Sequence, residues 1–444
     1  MNATQHGRAG RPSWRRAPLA VFAVAVTIGL GACSSSASSP GSASSASASS
    51  ASASSAGTGT AESPAASGSS GAPPAALASF LPGTVASGAA VKIGLINNEG
   101  SSPTAQSATG DAAVAAADYA NAELGGIGGH PIQVVRCAEE EDSASATACA
   151  NEMVADNVDA VVIGATGFGQ TMVPIITKAG IPYVTTIGSA AAELTTPGAF
   201  SFVGGFFSAL AAMAKYSAQQ GYKQVTAYVI EAPAAILGAK SVGAPVFKAA
   251  HVGYSVTPVT AGVADATSQI VSGLAGKPDA VALVADAGTC ESMLKALNVV
   301  NPGIPKMVIN SCLDSGVLAA VGSGMNGVKE FGFSSTQTND PEAQLYRYVM
   351  ARYYPSADTS GYTVTGYQSM LGLVRATAGL SGAVTPASIT AALKAAKNVP
   401  LPAGDGLKFS CDGKQIPGLS SACSPGMVVL TITNGQGLDP QLIG

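Results

Sequence analysis

The stretch "TGDAAVAAADYANAELGGIGGHPIQVV", residues 109–135, decides the fold class of this chain. Its alanine-rich first part predicts a helix over residues 104–124, which ends at Gly125 and Gly126 because glycine readily adopts the backbone conformation of a helix C-terminus. The apolar run at residues 131–137 predicts a strand. Another apolar run, "VKIGLI" at residues 91–96, precedes the helix and is typical of a strand buried on both faces. Strand, helix and strand in this order predict a parallel α/β unit.

The same alternation continues along the chain. Further strands are predicted at residues 159–165, 181–187, 224–231, 254–259, 279–285, 305–311 and 327–335, with helices between most of them. The rhythm restarts after residues 200–205, so we predict two α/β lobes, each a parallel sheet flanked by helices. Three later helices have no strands of their own, and we expect them to cover the first sheet; they are predicted at residues 341–354, 364–378 and 386–396. A hairpin-like end, formed by residues 407–411 and 427–433, closes the chain.

The composition excludes two classes of protein. The chain has 444 residues, a net charge of −4 and only 11% charged residues, so it lacks the basic surface of a nucleic-acid-binding protein, and we expect no nucleic-acid partner. Low charge is also found in membrane proteins. However, no apolar run after residue 33 approaches the length of about 20 residues that a transmembrane helix needs.

The N-terminus has the three parts of a secretory signal. Four arginines within residues 8–16 precede an uncharged apolar stretch at residues 17–32, which ends in small residues before Cys33. The sequence "LGAC" resembles the lipobox of bacterial lipoproteins. That resemblance implies that residues 1–32 are removed and that Cys33 is acylated, for example with palmitate, and anchors the protein in the lipid bilayer. The alternative is a signal peptide with an incidental cysteine.

A long segment after Cys33 has the composition of a flexible tether. Residues 34–79 are almost entirely Ser, Ala, Gly, Thr and Pro, and Glu62 carries their only charge. Such a segment cannot bury enough apolar surface to fold. We therefore predict a tether over residues 33–85 that holds the folded part near a membrane.

Three segments resemble one family of binding proteins. They are residues 109–135, "AGIPYVTTIGSAAAELT" at residues 179–195 and "LKFSCDGKQ" at residues 407–415. They are similar to the extracytoplasmic solute-binding proteins of ABC importers, in the branched-chain (hydrophobic) amino acid group with the type I periplasmic-binding fold. The resemblance implies two lobes joined by three hinge crossings, near residues 201–205, 331–335 and 424–428. It places the first lobe at residues 86–203 and 332–424, and the second lobe at residues 204–331 and 425–444.

Two loops after first-lobe strands carry most of the candidate ligand-binding residues. The resemblance implies that small residues and backbone N–H groups of such loops bind the α-carboxylate of the ligand, and free N–H groups at helix N-termini do favour anions. "GATGFGQT" (164–171) and "TIGSAAAEL" (186–194) each follow a strand. The first-lobe candidates are Gln106, Thr166, Gly167, Phe168, Gly169, Gln170, Gly188, Ser189 and Ala190. The alternative is that these residues are ordinary loop glycines and helix caps.

The second lobe departs from the pattern of the family. Members often use tyrosines and an acid against the ammonium group of the ligand, but the strand ends at residues 229–235, 284–290 and 309–316 contain no tyrosine. They contain Glu231, Asp286 and Asp314, of which one or two would pair with a cationic group in a closed cleft. Alternatively, each acid caps a helix. Ala190 also stands where the family often has threonine, so the ligand class stays open.

Six cysteines besides Cys33 allow fifteen sets of three disulfides. Positions in the expected fold narrow this number. Cys290 and Cys312 follow strands predicted to be neighbours, Cys411 and Cys423 flank a short loop, and Cys137 ends a strand under the helix that carries Cys149. We therefore predict the pairs Cys137–Cys149, Cys290–Cys312 and Cys411–Cys423.

The sequence contains no constellation typical of an enzyme or a metal site. It has three histidines and no HExxH, paired CxxC or G-x-S-x-G motif, and we expect no catalytic residue, metal or cofactor. The G-x-G-x-x-G of Gly322, Gly324 and Gly327 precedes a strand, which predicts a turn rather than a phosphate-binding loop. The acidic run at residues 139–142 predicts a solvated loop and the start of a helix.

Taken together, these features predict a monomeric lipoprotein on the outer face of the cytoplasmic membrane. It would capture an amino acid or amide-like polar solute between its lobes by hinge closure and deliver it to an ABC permease. Two other hypotheses remain: a ligand-sensing module for a membrane signalling protein, and a surface enzyme on the same fold.

Overall fold

The structure, a computed structural model, describes residues 75–100 and 105–444. The predicted signal segment, Cys33 and most of the predicted tether lie outside these residues. Within the described ranges, no helix combines the length and the apolar character needed to span a membrane.

The strands form two sheets and one small ladder. In chain order they are β1 (Val91–Asn98), β2 (Ile132–Glu139), β3 (Ala160–Ile163), β4 (Tyr183–Ile187), β5 (Ala199–Val203), β6 (Gln224–Ile230), β7 (Gly253–Val259), β8 (Ala280–Val284), β9 (Lys306–Ile309), β10 (Lys329–Gly332), β11 (Val399–Pro400), β12 (Lys408–Phe409), β13 (Met427–Thr433) and β14 (Gln436–Ile443). The first sheet has the order β2-β1-β3-β4-β5 and is parallel throughout. The second has the order β14-β13-β10-β9-β8-β6-β7, in which β13 runs antiparallel to both of its neighbours, β10 and β14. The predicted two-lobe α/β fold is thus confirmed.

The helices lie between the strands and after β10. In chain order they are α1 (Ser107–Glu123), α2 (Ser143–Ala155), α3 (Gly169–Lys178), α4 (Ala191–Thr195), α5 (Gly205–Gln219), α6 (Pro233–Gly238), α7 (Ala244–Ala249), α8 (Thr267–Leu274), α9 (Ala287–Val300), α10 (Ser315–Val321), α11 (Pro341–Tyr353), α12 (Val364–Ala376) and α13 (Pro386–Ala395). The helix predicted at residues 235–250 is α6 and α7 joined by a π-helical segment, Ala239–Gly243. The short α4 was not predicted.

The late helices join the first lobe, and α12 covers its sheet as the sequence predicted, whereas α11 packs on α1 and α13 packs on α12. Helix α12 packs against α1 and β4, and its apolar residues share one core with those of α1, β1 and β3. A buried polar contact adds specificity: the backbone N–H of Thr186 donates to Ser369 Oγ at 2.9 Å, and Thr186 Oγ1 donates to the Thr365 carbonyl at 3.0 Å. These bonds fix α12 over the carboxyl end of β4.

The chain passes between the two sheets three times. It leaves the first sheet after β5, returns between β10 and α11, and enters the second sheet again at β13. The first and third passages are hydrogen-bonded to each other: Ser201 N–H donates to the Ser421 carbonyl, Cys423 N–H donates to the Ser201 carbonyl, both at 2.8 Å, and Gly204 N–H donates to the Ser424 carbonyl at 3.1 Å. The two passages therefore run side by side.

The last part of the predicted tether packs onto the first lobe. Residues Ala75–Phe80 form a 3₁₀ helix in which Leu77 is fully buried, and the Tyr119 hydroxyl donates to the Phe80 carbonyl at 2.6 Å. The physical reason is composition, since residues 77–81 supply the large apolar side chains that the Ser/Ala-rich segment lacks. Residues 75–85 of the predicted tether thus belong to the described structure.

The predicted pairing of the C-terminal hairpin was wrong. Residues 407–411 do not pair with 427–433; instead β12 pairs with β11, and β13 pairs with β14. The turn between β13 and β14 contains Asn434 and Gly435, whose φ angles of 51° and 77° are both positive. Asn-Gly is the preferred sequence for such a turn, so the signal for the true hairpin was present.

The structure contains three disulfides, Cys137–Cys149, Cys290–Cys312 and Cys411–Cys423, which are the three pairs expected from the sequence. Each joins residues only 12 or 22 positions apart, and each lies within one lobe. Cys137–Cys149 joins β2 to α2, Cys290–Cys312 joins α9 to the 3₁₀ helix after β9, and Cys411–Cys423 joins the segments after β12 and before β13, so none of them joins the two lobes.

Candidate functional site

Three adjoining cavities lie at the carboxyl ends of the strands, where ligands bind in open α/β sheets. The glutamate compartment, about 420 Å³, is lined by Gln106, Glu141, Thr166, Gly167, Ser189 and Glu193, among others. The aspartate compartment, about 490 Å³, is lined by Asp286, Asp314 and Asp358 together with residues 105–109. The apolar compartment, about 310 Å³, includes Phe206, Phe207, Phe331 and Phe333. Tyr362 lines all three, so the compartments form one cleft around its ring.

Glu193 organises the loop after β4 from the inside. Its side chain is only 1% exposed, and its Oε2 accepts hydrogen bonds from the N–H groups of Ser189 and Ala190, both at 2.8 Å. Its Oε1 accepts from the Tyr183 hydroxyl at 2.6 Å. Burial raises the pKa of Glu193, and these donors oppose that shift. The N–H groups predicted to bind a ligand carboxylate thus already donate to a carboxyl group of the protein.

This arrangement requires a glycine at the start of α3. A Cβ atom on Gly169 would lie 2.2 Å from Glu193 Cδ, so no larger residue fits there without moving the carboxyl group. Gly169 was predicted to let the backbone approach a ligand. In the structure its backbone approaches Glu193 instead.

Glu141, which follows β2, supports the loop after β3 in a similar way. Its carboxyl group accepts a hydrogen bond from the Gly167 N–H and contacts Glu139, and burial raises the pKa of both acids. The backbone of Glu141 has a φ of 57°, a left-handed conformation that is uncommon for a residue with a side chain and is found at functional sites. Its Oε2 is buried without a hydrogen-bond partner. The prediction of a solvated acidic loop was wrong for Glu139, which is fully buried, whereas Glu140 and Asp142 are exposed and Asp142 begins α2 as predicted.

The aspartate compartment brings together acids from both lobes. Asp286 Oδ1 accepts from the Thr289 N–H at 2.8 Å and begins α9, whereas Asp314 Oδ1 accepts from the Gly316 N–H at 2.9 Å and begins α10. Asp358, from the first lobe, accepts from the Ser360 N–H and the Ser315 hydroxyl. Asp286 and Asp314 therefore cap helices and also line the cleft, while their pairing with a cationic group stays a prediction.

The apolar compartment extends the cleft toward the crossings. Phe206 and Phe207 at the start of α5 line it together with Phe331 of β10, and Asn310 adds a polar group directly after β9. Asn310 is only 7% exposed; its Nδ2 donates to Glu330 Oε1 at 2.7 Å, and its Oδ1 has no partner. Glu330 is fully buried, and this burial raises its pKa to about 7.

Seven of the twelve candidate ligand-binding residues line the cleft: Gln106, Thr166, Gly167, Gly188, Ser189, Asp286 and Asp314. The other five do not line these compartments. Phe168 packs on the first-lobe core, Gly169 and Ala190 contact Glu193, and Gln170 Oε1 accepts from the Ala192 N–H. Glu231 is exposed and accepts from the Thr260 hydroxyl at 3.2 Å.

Several residues that line the cleft were not among the predicted candidates, including Glu141, Glu193, Asn310 and Tyr362. Glu141 and Asn310 each follow a strand, which is the signal used for the other candidates. Glu193 and Tyr362 follow no strand directly. Glu193 lies within α4, and Tyr362 lies in the short 3₁₀ helix Gly361–Thr363 before α12.

A family model described as periplasmic binding protein matches residues 90–422. No curated protein sequence matches the chain. Solved structures are similar at low sequence identity. The LivJ substrate-binding protein of Streptococcus pneumoniae in complex with isoleucine is 20% identical with a TM-score of 0.63, and the match covers 80% of this chain and 99% of that one.

Two further structures show the same likeness. The leucine-binding protein LivK of Thermotoga maritima is 16% identical over 80% of this chain and 98% of its own, with a TM-score of 0.63. A solute-binding protein of an R. palustris ABC transporter, in complex with benzoate, is 20% identical over 79% of this chain and 95% of its own, with a TM-score of 0.62. These relatives share the arrangement of two lobes described above.

Proposed function

The chain belongs to the periplasmic binding protein family, and on that premise we propose that it is the solute receptor of an ABC importer. The family consists of binding proteins rather than enzymes. The receptor captures a small polar solute, an amino acid or amide-like molecule, between its lobes and delivers it to a permease. The relatives of known structure that bind isoleucine or benzoate support a small organic solute.

One observation carries this proposal: the cleft is built from the strand ends of both sheets. Loops after β3 and β4 line it from the first lobe, and loops after β8 and β9 line it from the second. A solute that contacts both lobes binds the closed arrangement more tightly than the open one. It therefore shifts the population toward closure, which is the form a permease would recognise.

The proposal includes an anchor outside the described residues. Cys33 is acylated and holds the protein on the outer face of the cytoplasmic membrane as a monomer. Residues 34–74 act as a tether. The first lobe comprises residues 86–203 and 332–424, and the second comprises residues 204–331 and 425–444. The "LGAC" sequence and the near absence of charge in the tether support this arrangement.

The solute is tested by a thermal-shift screen of the purified protein against amino acids, small amides, amines and sugars. We expect at least one compound to raise the melting temperature and to reduce the radius of gyration in small-angle scattering. Ser189→Tyr places a large side chain between two compartments and should abolish the shift, whereas Ser272→Tyr, on an exposed position of α8, should not. A shift that survives Ser189→Tyr would place binding elsewhere.

The anchor is tested by fractionation of cells that express the protein. The native chain should sediment with membranes, and Cys33→Ala should release the processed protein into the soluble fraction. Ser34→Ala is the matched control and should leave the distribution unchanged. A processed Cys33→Ala protein that stays with the membranes contradicts the lipoprotein proposal.

A further inference from the structure

We propose that the solute of this cleft is an organic cation without a carboxylate, an amine or guanidine carried on an apolar body. This inference rests on the proposed solute-receptor function, and it replaces the amino acid or amide-like solute proposed there with another chemical class. It reverses the expectation drawn from the resemblance, in which the first lobe holds an anion.

The N–H groups that would bind an anion already have acceptors within the protein. In the loop after β4, the N–H groups of Ser189 and Ala190 both donate to Glu193 at 2.8 Å. In the loop after β3, the Gly167 N–H donates to Glu141, and the Phe168 N–H donates to Thr166 Oγ1 at 2.9 Å. An anionic group would have to displace a buried carboxyl group of the protein, so these loops disfavour a ligand carboxylate.

All the charged residues that line the three compartments are acids: Glu141 and Glu193 in one, and Asp286, Asp314 and Asp358 in another. Within the described residues, no lysine, arginine or histidine lines any of these cavities. Like charges repel and opposite charges attract more strongly where water is excluded, so the cleft favours a cation over an anion.

Three cleft residues each hold a buried oxygen atom without a hydrogen-bond partner: Glu141 Oε2, Gln106 Oε1 and Asn310 Oδ1. Asn310 is 93% buried and its Nδ2 donates to Glu330, so its Oδ1 is a buried acceptor without a donor on a residue that lines the apolar compartment. Buried acceptors without a donor are costly, and a ligand that carries N–H or O–H groups satisfies them.

The cleft also offers an apolar surface to the body of the solute. The apolar compartment is lined by four phenylalanines besides Val284, Ile309 and Met427, and it adjoins the glutamate compartment at Ile187 and Ser189. An aromatic or branched aliphatic group gains free energy by leaving water for such a surface. A cation beside Glu141 with its apolar body in this compartment uses both halves of the cleft.

Three probes that differ in one group each test the inference by isothermal titration of the purified protein near neutral pH. Tyramine carries an ammonium group, an aromatic body and a hydroxyl donor; tyrosine adds a carboxylate; 4-hydroxyphenylacetate carries the carboxylate without the ammonium group. We expect tyramine to bind, tyrosine to bind at least about tenfold more weakly, and 4-hydroxyphenylacetate not to bind.

A variant assigns the binding to the cleft. Glu141→Gln keeps an acceptor for the Gly167 N–H but removes the charge, and it should weaken tyramine binding about tenfold or more. Glu140→Gln changes the exposed neighbouring acid and should bind tyramine as the native protein does. Melting temperatures of both variants establish that each is folded.

The inference is overturned if tyrosine or 4-hydroxyphenylacetate binds as tightly as tyramine, if none of the three binds, or if Glu141→Gln retains native affinity. The solute-receptor proposal fails separately. It stands if another compound in the thermal-shift screen binds in the cleft, and it falls if no compound does.

Discussion

The two faces of the cleft use carboxyl groups in opposite ways. On the first-lobe face, Glu193 is buried and accepts hydrogen bonds from the loop that it supports. On the second-lobe face, Asp286 and Asp314 are exposed and cap the helices that they begin. One face therefore depends on tertiary contacts made by an acid inside the loop. The other depends on local caps that any soluble helix can use.

The shape of the cleft is fixed on its first-lobe face. Glu193 joins Tyr183 of β4 to the loop at residues 189–190, so its removal changes the geometry of the site itself. The aspartates of the second lobe hold only the first turn of a helix. Their removal should change stability slightly and leave the cleft in place.

The largest effect is expected for Glu193→Ala. The substitution leaves two backbone N–H groups and the Tyr183 hydroxyl buried without an acceptor, which should reduce the free energy of unfolding by about 4 kcal/mol. Urea denaturation followed by circular dichroism measures the change.

Glu193→Gln is the matched control. Its amide oxygen can accept from the two N–H groups, and its amide nitrogen can donate to the Tyr183 oxygen, since a hydroxyl both donates and accepts. We expect about half the loss seen for alanine. Equal losses in the two variants would mean that Glu193 acts through packing rather than through its hydrogen bonds.

The second effect tests Glu330, the buried acid near the second-lobe face. Its pKa is raised from 4.5 to about 7 by burial, so between these values the folded protein holds a proton that the unfolded chain has released. Stability contributed by this group is thus present below pH 4.5 and is lost as the pH rises to about 7. Over this interval the loss is about 3 kcal/mol.

Glu330→Gln cannot ionise and keeps an acceptor for Asn310. Relative to the native protein, it should therefore gain about 3 kcal/mol of stability between acidic and neutral pH. Denaturation curves over this pH interval provide the measurement, with Glu231→Gln, an exposed acid of the same lobe, as the control. A native stability profile in Glu330→Gln would show that Glu330 ionises normally in the folded protein.

The smallest effect is expected for the caps of the second lobe. Asp286→Ala removes the acceptor for the Thr289 N–H at the start of α9 and should cost about 1 kcal/mol. Asp286→Asn retains a capping oxygen and should cost a few tenths. Denaturation of the two variants separates them, and a loss for Asp286→Ala as large as that for Glu193→Ala would erase the distinction between the two faces.

Much of the fold could be predicted because its signals are local. The apolar strands, the alanine-rich α1 and its glycine stop at residues 125–126 each specify one element, and alternation specifies the parallel sheets. The disulfide pairs followed from that order. The pairing of β13 failed because strand partners depend on turn geometry, and the Asn434–Gly435 turn received no weight.

The cleft was predicted less completely, for a physical reason. Candidates chosen because they follow strands reached the site in most cases, as Thr166, Gly167 and Ser189 did. The role of Glu193 depends on a side chain that turns back from a helix toward β4, and the role of Glu141 depends on a left-handed backbone. Neither is visible in a periodic pattern, since both arise only when distant segments meet.

The paired passages between the lobes set the mechanics of closure. Because residues 201–204 and 421–424 are hydrogen-bonded to each other, they form a strap two chains wide between the lobes. A strap of this kind bends easily across its width and resists twisting. The lobes should therefore open by rotation about one principal hinge axis. Each opening then exposes the same edge of the cleft to the solvent.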